Sequence, residues 1–97
     1  MLNISSDTDQ VQGVSVLKVE GRVDSDSTPQ LEEALTALLN ANCSKIVVNL
    51  KAVDFMSSAG LRAIVRAYQG AQKAGGSVHL AAVPEEIESV MYTVGLN

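Results

Sequence analysis

Lys45-Ile46-Val47-Val48-Asn49-Leu50, followed after three residues by Asp54-Phe55-Met56-Ser57-Ser58-Ala59-Gly60-Leu61-Arg62, carries a strand into a helix. The first piece is short, apolar and β-branched, as a buried strand is. Beyond the serines, Leu61, Ile64, Val65 and Tyr68 recur at i, i+3, i+4 and i+7, which predicts an amphipathic helix starting near Ser57 or Ser58, with those four residues on its buried face. A serine oxygen at a helix N-cap accepts a hydrogen bond from a backbone N–H that has no partner within the helix. One cap needs one serine. The other is left where the helix dipole is positive and backbone N–H groups point outward, a setting that tolerates phosphate.

Outward from this stretch the chain alternates strands and helices without a linker or repeat. Leu2 to Ser5 and Val14 to Glu20 read as an antiparallel hairpin separated by the polar Asp7-Thr8-Asp9-Gln10, with Gly21 ending the second strand. Asp24-Ser25-Asp26-Ser27-Thr28-Pro29 reads as a loop entering a helix capped by Thr28, with Pro29 in the first helical position. Leu31, Ala34, Leu35 and Leu38 then face the core, and the helix ends near Asn40 to Asn42. The second helix runs from about Ser58 to Lys73 and stops at Gly75-Gly76. Ser77 to Ala82 reads as a fourth strand. Pro84, Glu85 and Glu86 open a third helix with Ile87, Val90, Met91 and Val94 as its apolar stripe. A single α/β domain follows, with a mixed, mostly parallel sheet, an N-terminal hairpin and helices packed over it through right-handed crossovers.

Composition narrows the function. The chain has 97 residues, enough for one core, and only three aromatic residues, so that core is aliphatic. A net charge of −4 disfavours nucleic acid as a direct partner. No apolar stretch approaches the roughly 20 residues of a membrane span, and the N-terminus has no signal-peptide pattern, so a cytoplasmic protein without membrane insertion is expected. Cys43, alone in the sequence, reads as a small buried hydrophobe in a reducing compartment.

Familiar catalytic motifs are absent. There is no P-loop or dinucleotide fingerprint, and Met56-Ser57-Ser58-Ala59-Gly60 lacks the leading glycine of a hydrolase elbow. One histidine, His79, and one cysteine do not make a zinc site. Glu32/Glu33 and Glu85/Glu86 read as complements to the helix dipole in first turns. Neither catalysis by this chain nor a cofactor or metal is expected. On the second helix, Arg62, Arg66, Gln69 and Lys73 follow Ser58 at steps of four, four, three and four, a polar face suited to a partner with acidic groups. Met56 flanks the hydroxyl there.

Gly21-Arg22-Val23-Asp24, the Thr28-Pro29 helix start, and Val53-Asp54-Phe55-Met56-Ser57-Ser58-Ala59-Gly60-Leu61 together resemble the STAS domain, and more narrowly bacterial anti-sigma factor antagonists. The resemblance covers residues 1–97, including the ending Met91-Tyr92-Thr93-Val94-Gly95-Leu96. Many relatives continue past the Gly95-Leu96 pair to complete a last helix, which makes this either a shortened chain or a short member.

The resemblance implies a protein that binds a serine kinase of the histidine-kinase-like ATPase type, which doubles as the anti-sigma factor, and that is reset by a serine phosphatase. It implies phosphorylation at Ser58, two positions before Gly60-Leu61, with Asp24 as the aspartate beside the phosphosite. Ser57 stands where well-known members carry an aspartate, and is the rival acceptor. The partner-binding set is then Asp24, Met56, Ser57, Ser58, Arg62 and Arg66. A STAS subunit of a transport complex or larger signalling assembly, without serine phosphorylation, is the alternative.

Overall fold

The computed structural model describes residues 2–9, 13–43 and 45–88. Four strands, β1 (Leu2–Asp9), β2 (Val14–Val23), β3 (Lys45–Met56) and β4 (Ser77–Ala81), form one sheet in the order β1-β2-β3-β4. The β1–β2 pair is antiparallel, and β2–β3 and β3–β4 are parallel. Parallel neighbours need a crossover, and α1 (Thr28–Asn40) and α2 (Ser58–Lys73) supply the two. Residues 85–88 are also helical, with Ile87 buried. The expected Val90, Met91 and Val94 of that stripe lie outside the described residues.

Alternation along the central strands defines the core. Leu17 and Val19 of β2 and Ile46, Val48 and Leu50 of β3 point to the helix side and are buried, joined there by Leu31 and Leu35 of α1. Ser15 is also fully buried, its hydroxyl paired with that of Thr8 at 2.9 Å. On the opposite face Val16, Lys18, Arg22 and His79 are exposed. The hairpin is longer than its polar tip suggests: Asp7, Thr8 and Asp9 remain paired with Val16, Ser15 and Val14, and the Gly13 N–H donates to the Asp9 carbonyl. An exposed edge strand accepts such polar residues because half its backbone and one side-chain face meet water.

β3 also runs past its expected end at Leu50. Buried positions shift from every second residue, 46, 48 and 50, to 53 and 56. Two register breaks explain this: Lys18 and Glu20 pair with Asn49 and Ala52, and Gly21 and Arg22 pair with Val53 and Phe55, so β3 holds one extra residue at each break. Bulges hide a strand from a period-two reading and strengthen its twist. Gly21, with φ of 106°, sits at the second break and continues β2 rather than ending it.

Three helix details differ from expectation. Thr28 is not the cap of α1 but its first residue; Ser27 precedes it, with its hydroxyl turned back to donate to the Arg22 carbonyl at 2.8 Å. Glu32 and Glu33 lie beyond the first turn of α1, where no acidic residue is found. In α2 the buried side is Gly60, Leu61, Ala63, Ile64, Ala67 and Ala71, while Tyr68 is 42% exposed and Val65 half-buried. Small side chains face inward because they let the helix lie close to its neighbours, a contribution that hydrophobicity alone does not register. Cys43, just after α1, is half-buried rather than buried, and its thiol donates to the Ala41 carbonyl at 3.8 Å.

Candidate functional site

The site is built where β3 ends beside the end of β2. The Ser57 N–H donates to the Val23 carbonyl at 2.8 Å, which ties the start of α2 to the residue before Asp24. Ser57 is in extended conformation, and its Oγ accepts from the Gly60 N–H at 3.1 Å: it is the N-cap of α2. Ser58 is the first helical residue and is exposed. The two hydroxyls are thus divided, one satisfying the helix and the other presented to solvent.

The seat of this first turn depends on close approach. A Cβ on Gly60 would meet Met56 Sδ and Val23 Cγ1, each at 2.6 Å. Met56, expected at the docking surface, is instead 2% exposed, because the β3 pleat turns it into the core beneath Gly60. It supports the site from below.

Asp24 orders the loop beside the serines. Its Oδ1 accepts from the Ser27 N–H at 3.1 Å, the Asp26 N–H at 3.0 Å and the Ser27 hydroxyl at 3.2 Å, and its Oδ2 from Arg22 Nε at 3.2 Å. The Ser27 N–H above all, with the Ser27 hydroxyl, the Asp26 N–H and the Arg22 guanidinium, holds its carboxyl below the usual aspartate value of 3.8, against the opposing effect of partial desolvation. Arg22 in turn lies over the Phe55 ring, 4.0 Å from its centroid. Arg22 and Phe55 stand within the stretches that carry the resemblance, but the sequence gives them no site role, because the bulge that pairs them is not legible as a motif.

Arg62 is exposed one turn beyond Ser58, with no ion pair among the described residues. Arg66 is also exposed but lies 3.6 Å from Glu32 of α1, so part of its charge is used between the helices. Asp24 and Ser57 are thus brought near each other by the hydrogen bond from the Ser57 N–H to the Val23 carbonyl, and Ser58, Arg62 and Arg66 follow at one-turn steps along α2. No cluster of metal-ligand type occurs among the described residues, and no helix there is long and apolar enough to cross a membrane.

A four-stranded mixed sheet whose strand β3 leads into a helix capped by Ser57 and opened by Ser58 defines the class: the STAS domain model matches residues 5–97, and the chain belongs to that family. Within it, the chain is 34% identical over 71 residues to the anti-sigma-F factor antagonist RsfB of Mycobacterium tuberculosis, a match covering 73% of this chain and 56% of that protein's length. It is 27% identical over 95 residues to the anti-sigma-B factor antagonist of Staphylococcus aureus, covering 98% of this chain and 88% of that one. The crystal structure of an anti-sigma factor antagonist from Mycobacterium paratuberculosis matches with a TM-score of 0.87 at 27% identity, covering 99% of this chain and 80% of that one.

Proposed function

We propose that the protein is an anti-sigma factor antagonist, a binding protein and not an enzyme, that sequesters an anti-sigma factor with serine kinase activity and releases it once Ser58 is phosphorylated. The observation that carries this reading is the division of the serines: the Ser57 hydroxyl is engaged with the Gly60 N–H at 3.1 Å, and the Ser58 hydroxyl is exposed at the first turn of α2. The relatives' names support the choice of partner. A phosphate carries about −1.5 to −2 charge. On Ser58 it would stand at a helix N-terminus, favourable within the fold, and against a partner surface fitted to a hydroxyl, unfavourable between molecules. A loss of about 3 kcal/mol weakens binding roughly a hundredfold, enough to switch a complex. A serine phosphatase completes the cycle.

The test is to incubate the protein with its purified anti-sigma factor and ATP and to locate the phosphate by mass spectrometry. Label on Ser58 is expected, and Ser58→Ala should abolish it while retaining binding. Label on Ser57 alone overturns the assignment, and the absence of any complex overturns the function.

A further inference from the structure

The sheet face turned away from α1 and α2 has no described element packed on it, although β2, β3 and β4 run parallel. Parallel strands are almost always covered on both sides. Strand pairing lines up the side chains of this face in rows across the sheet, and the middle row reads Asp7, Val16, Val47 and His79 from β1 to β4. In the next row Asp9 of β1 and Lys45 of β3 flank Val14 of β2. Val16 is exposed, and Val14 and Val47 are half-buried. In the row on the other side Lys18 pairs with Glu20 of its own strand at 4.0 Å. Carboxylates thus stand toward β1, an ammonium and an imidazole toward β3 and β4, and β-branched apolar side chains between them.

We propose that this face pairs with the same face of a second copy of the chain, about a two-fold axis that runs along the strands between β2 and β3. Such an axis lays β1 over β4 of the other copy and β2 over β3, so that each row meets itself reversed. Asp7 then faces His79, Val16 faces Val47, and Asp9 stands beside Lys45, each contact made twice by symmetry. The alternative axis, across the strands, lays β1 on its own copy and sets the carboxylates of Asp7 and Asp9 against each other, which like-charge repulsion opposes. The order of the middle row is complementary to its own reversal, and this is why a second copy fits where an unrelated surface would have to supply the matching order itself. Four strands about 4.8 Å apart, with about six residues of 3.3 Å along each, make a footprint of about 19 by 20 Å, the size of a weak, reversible contact and not of a permanent one. α2 packs on the other face of the sheet and stays open in both copies.

The experiment is sedimentation equilibrium of the purified chain from micromolar to millimolar concentration, with amide NMR spectra over the same dilution series. A monomer–dimer equilibrium is expected, with concentration-dependent shifts at Asp7, Val16, Val47 and His79 and none along α2. Asp7→Lys and His79→Glu should each weaken association by about tenfold or more, and the double variant, which reverses the facing pair, should return to within about threefold of wild type. Val16→Asp, at an exposed position, should abolish the dimer with little change in melting temperature. A wild-type chain that stays monomeric overturns the proposal, and so does a dimer that Asp7→Lys and Val16→Asp leave unchanged. Losses in the two single variants that the double variant fails to recover, with all three folded, overturn the axis. A monomer whose sheet face is protected only when an anti-sigma factor is added assigns the face to that protein and overturns self-pairing.

Discussion

Two adjacent serines of the same chemistry have different physical roles because only one can satisfy the N–H groups of a helix start. Ser57→Ala removes the bond to the Gly60 N–H and should lower stability by about 0.5 to 2 kcal/mol in denaturant unfolding, while Ser58→Ala, exposed at the first helical position, should change it little. Equal losses for the two would reverse their roles. That a cap lay at this pair was legible from the strand-to-helix switch; which serine formed it needed backbone angles. Asp24 shows the limit from another side. Its partners Asp26 and Ser27 are near in sequence, yet four hydrogen bonds on one carboxylate depend on how the loop closes. A folded-state pKa held below that of the unfolded chain means that Asp24 adds stability above the ordinary value of 3.8, and that this is lost as pH falls through the lowered value. A carboxyl NMR titration should place Asp24 below 3.8, and a titration at or above it would contradict the loop geometry.

At the scale of elements, the strand and helix order was legible and the rotation of α2 was not. Leu61, Ile64, Val65 and Tyr68 form the most apolar stripe, but the face that packs includes Gly60, Ala63, Ala67 and Ala71, turned by roughly a quarter of the helix circumference. Small residues gain their stabilisation from close approach, so a hydrophobic count overlooks them. The far half of β3 was missed for a related reason: its two extra residues break the alternation that identifies strands. The difference between buried and presented faces gives a paired prediction. Leu61→Ala, fully buried, should lower stability by about 2 to 5 kcal/mol. An Arg62→Glu/Arg66→Glu double variant should instead impair binding to the anti-sigma factor with a small change in melting, since the exposed Arg66–Glu32 pair contributes only about 0 to 1 kcal/mol. Unchanged affinity in that variant would leave this face of α2 as ordinary solvated surface.

For the whole molecule, the question is whether a phosphate acts through the fold or only across an interface. Ser58 projects from an element whose buried side joins the single core through Leu61, Ile64, Ala67 and Ala71, and its own hydroxyl has no structural bond among the described residues. Phosphorylation therefore removes nothing from the core. At the start of α2 the added charge meets the positive end of the helix dipole, with Arg62 one turn away and free to pair with it, so the effect on the isolated domain should be neutral or slightly stabilising. Asp24 opposes this, but its carboxylate is already engaged by Ser27, Asp26 and Arg22. In the proposed complex with an anti-sigma factor the sign should reverse, because a dianion would have to be desolvated against a surface shaped for a hydroxyl. Amide NMR spectra of the two forms should differ only near Ser58, Asp24 and the first turn of α2, the melting temperature should hold or rise, and affinity for the anti-sigma factor should fall roughly a hundredfold for a penalty near 3 kcal/mol. Shifts spread through β2, β3 and the α1–α2 contact, or a lowered melting temperature, would mean that the phosphate remodels the domain, and a switch confined to the interface would be wrong.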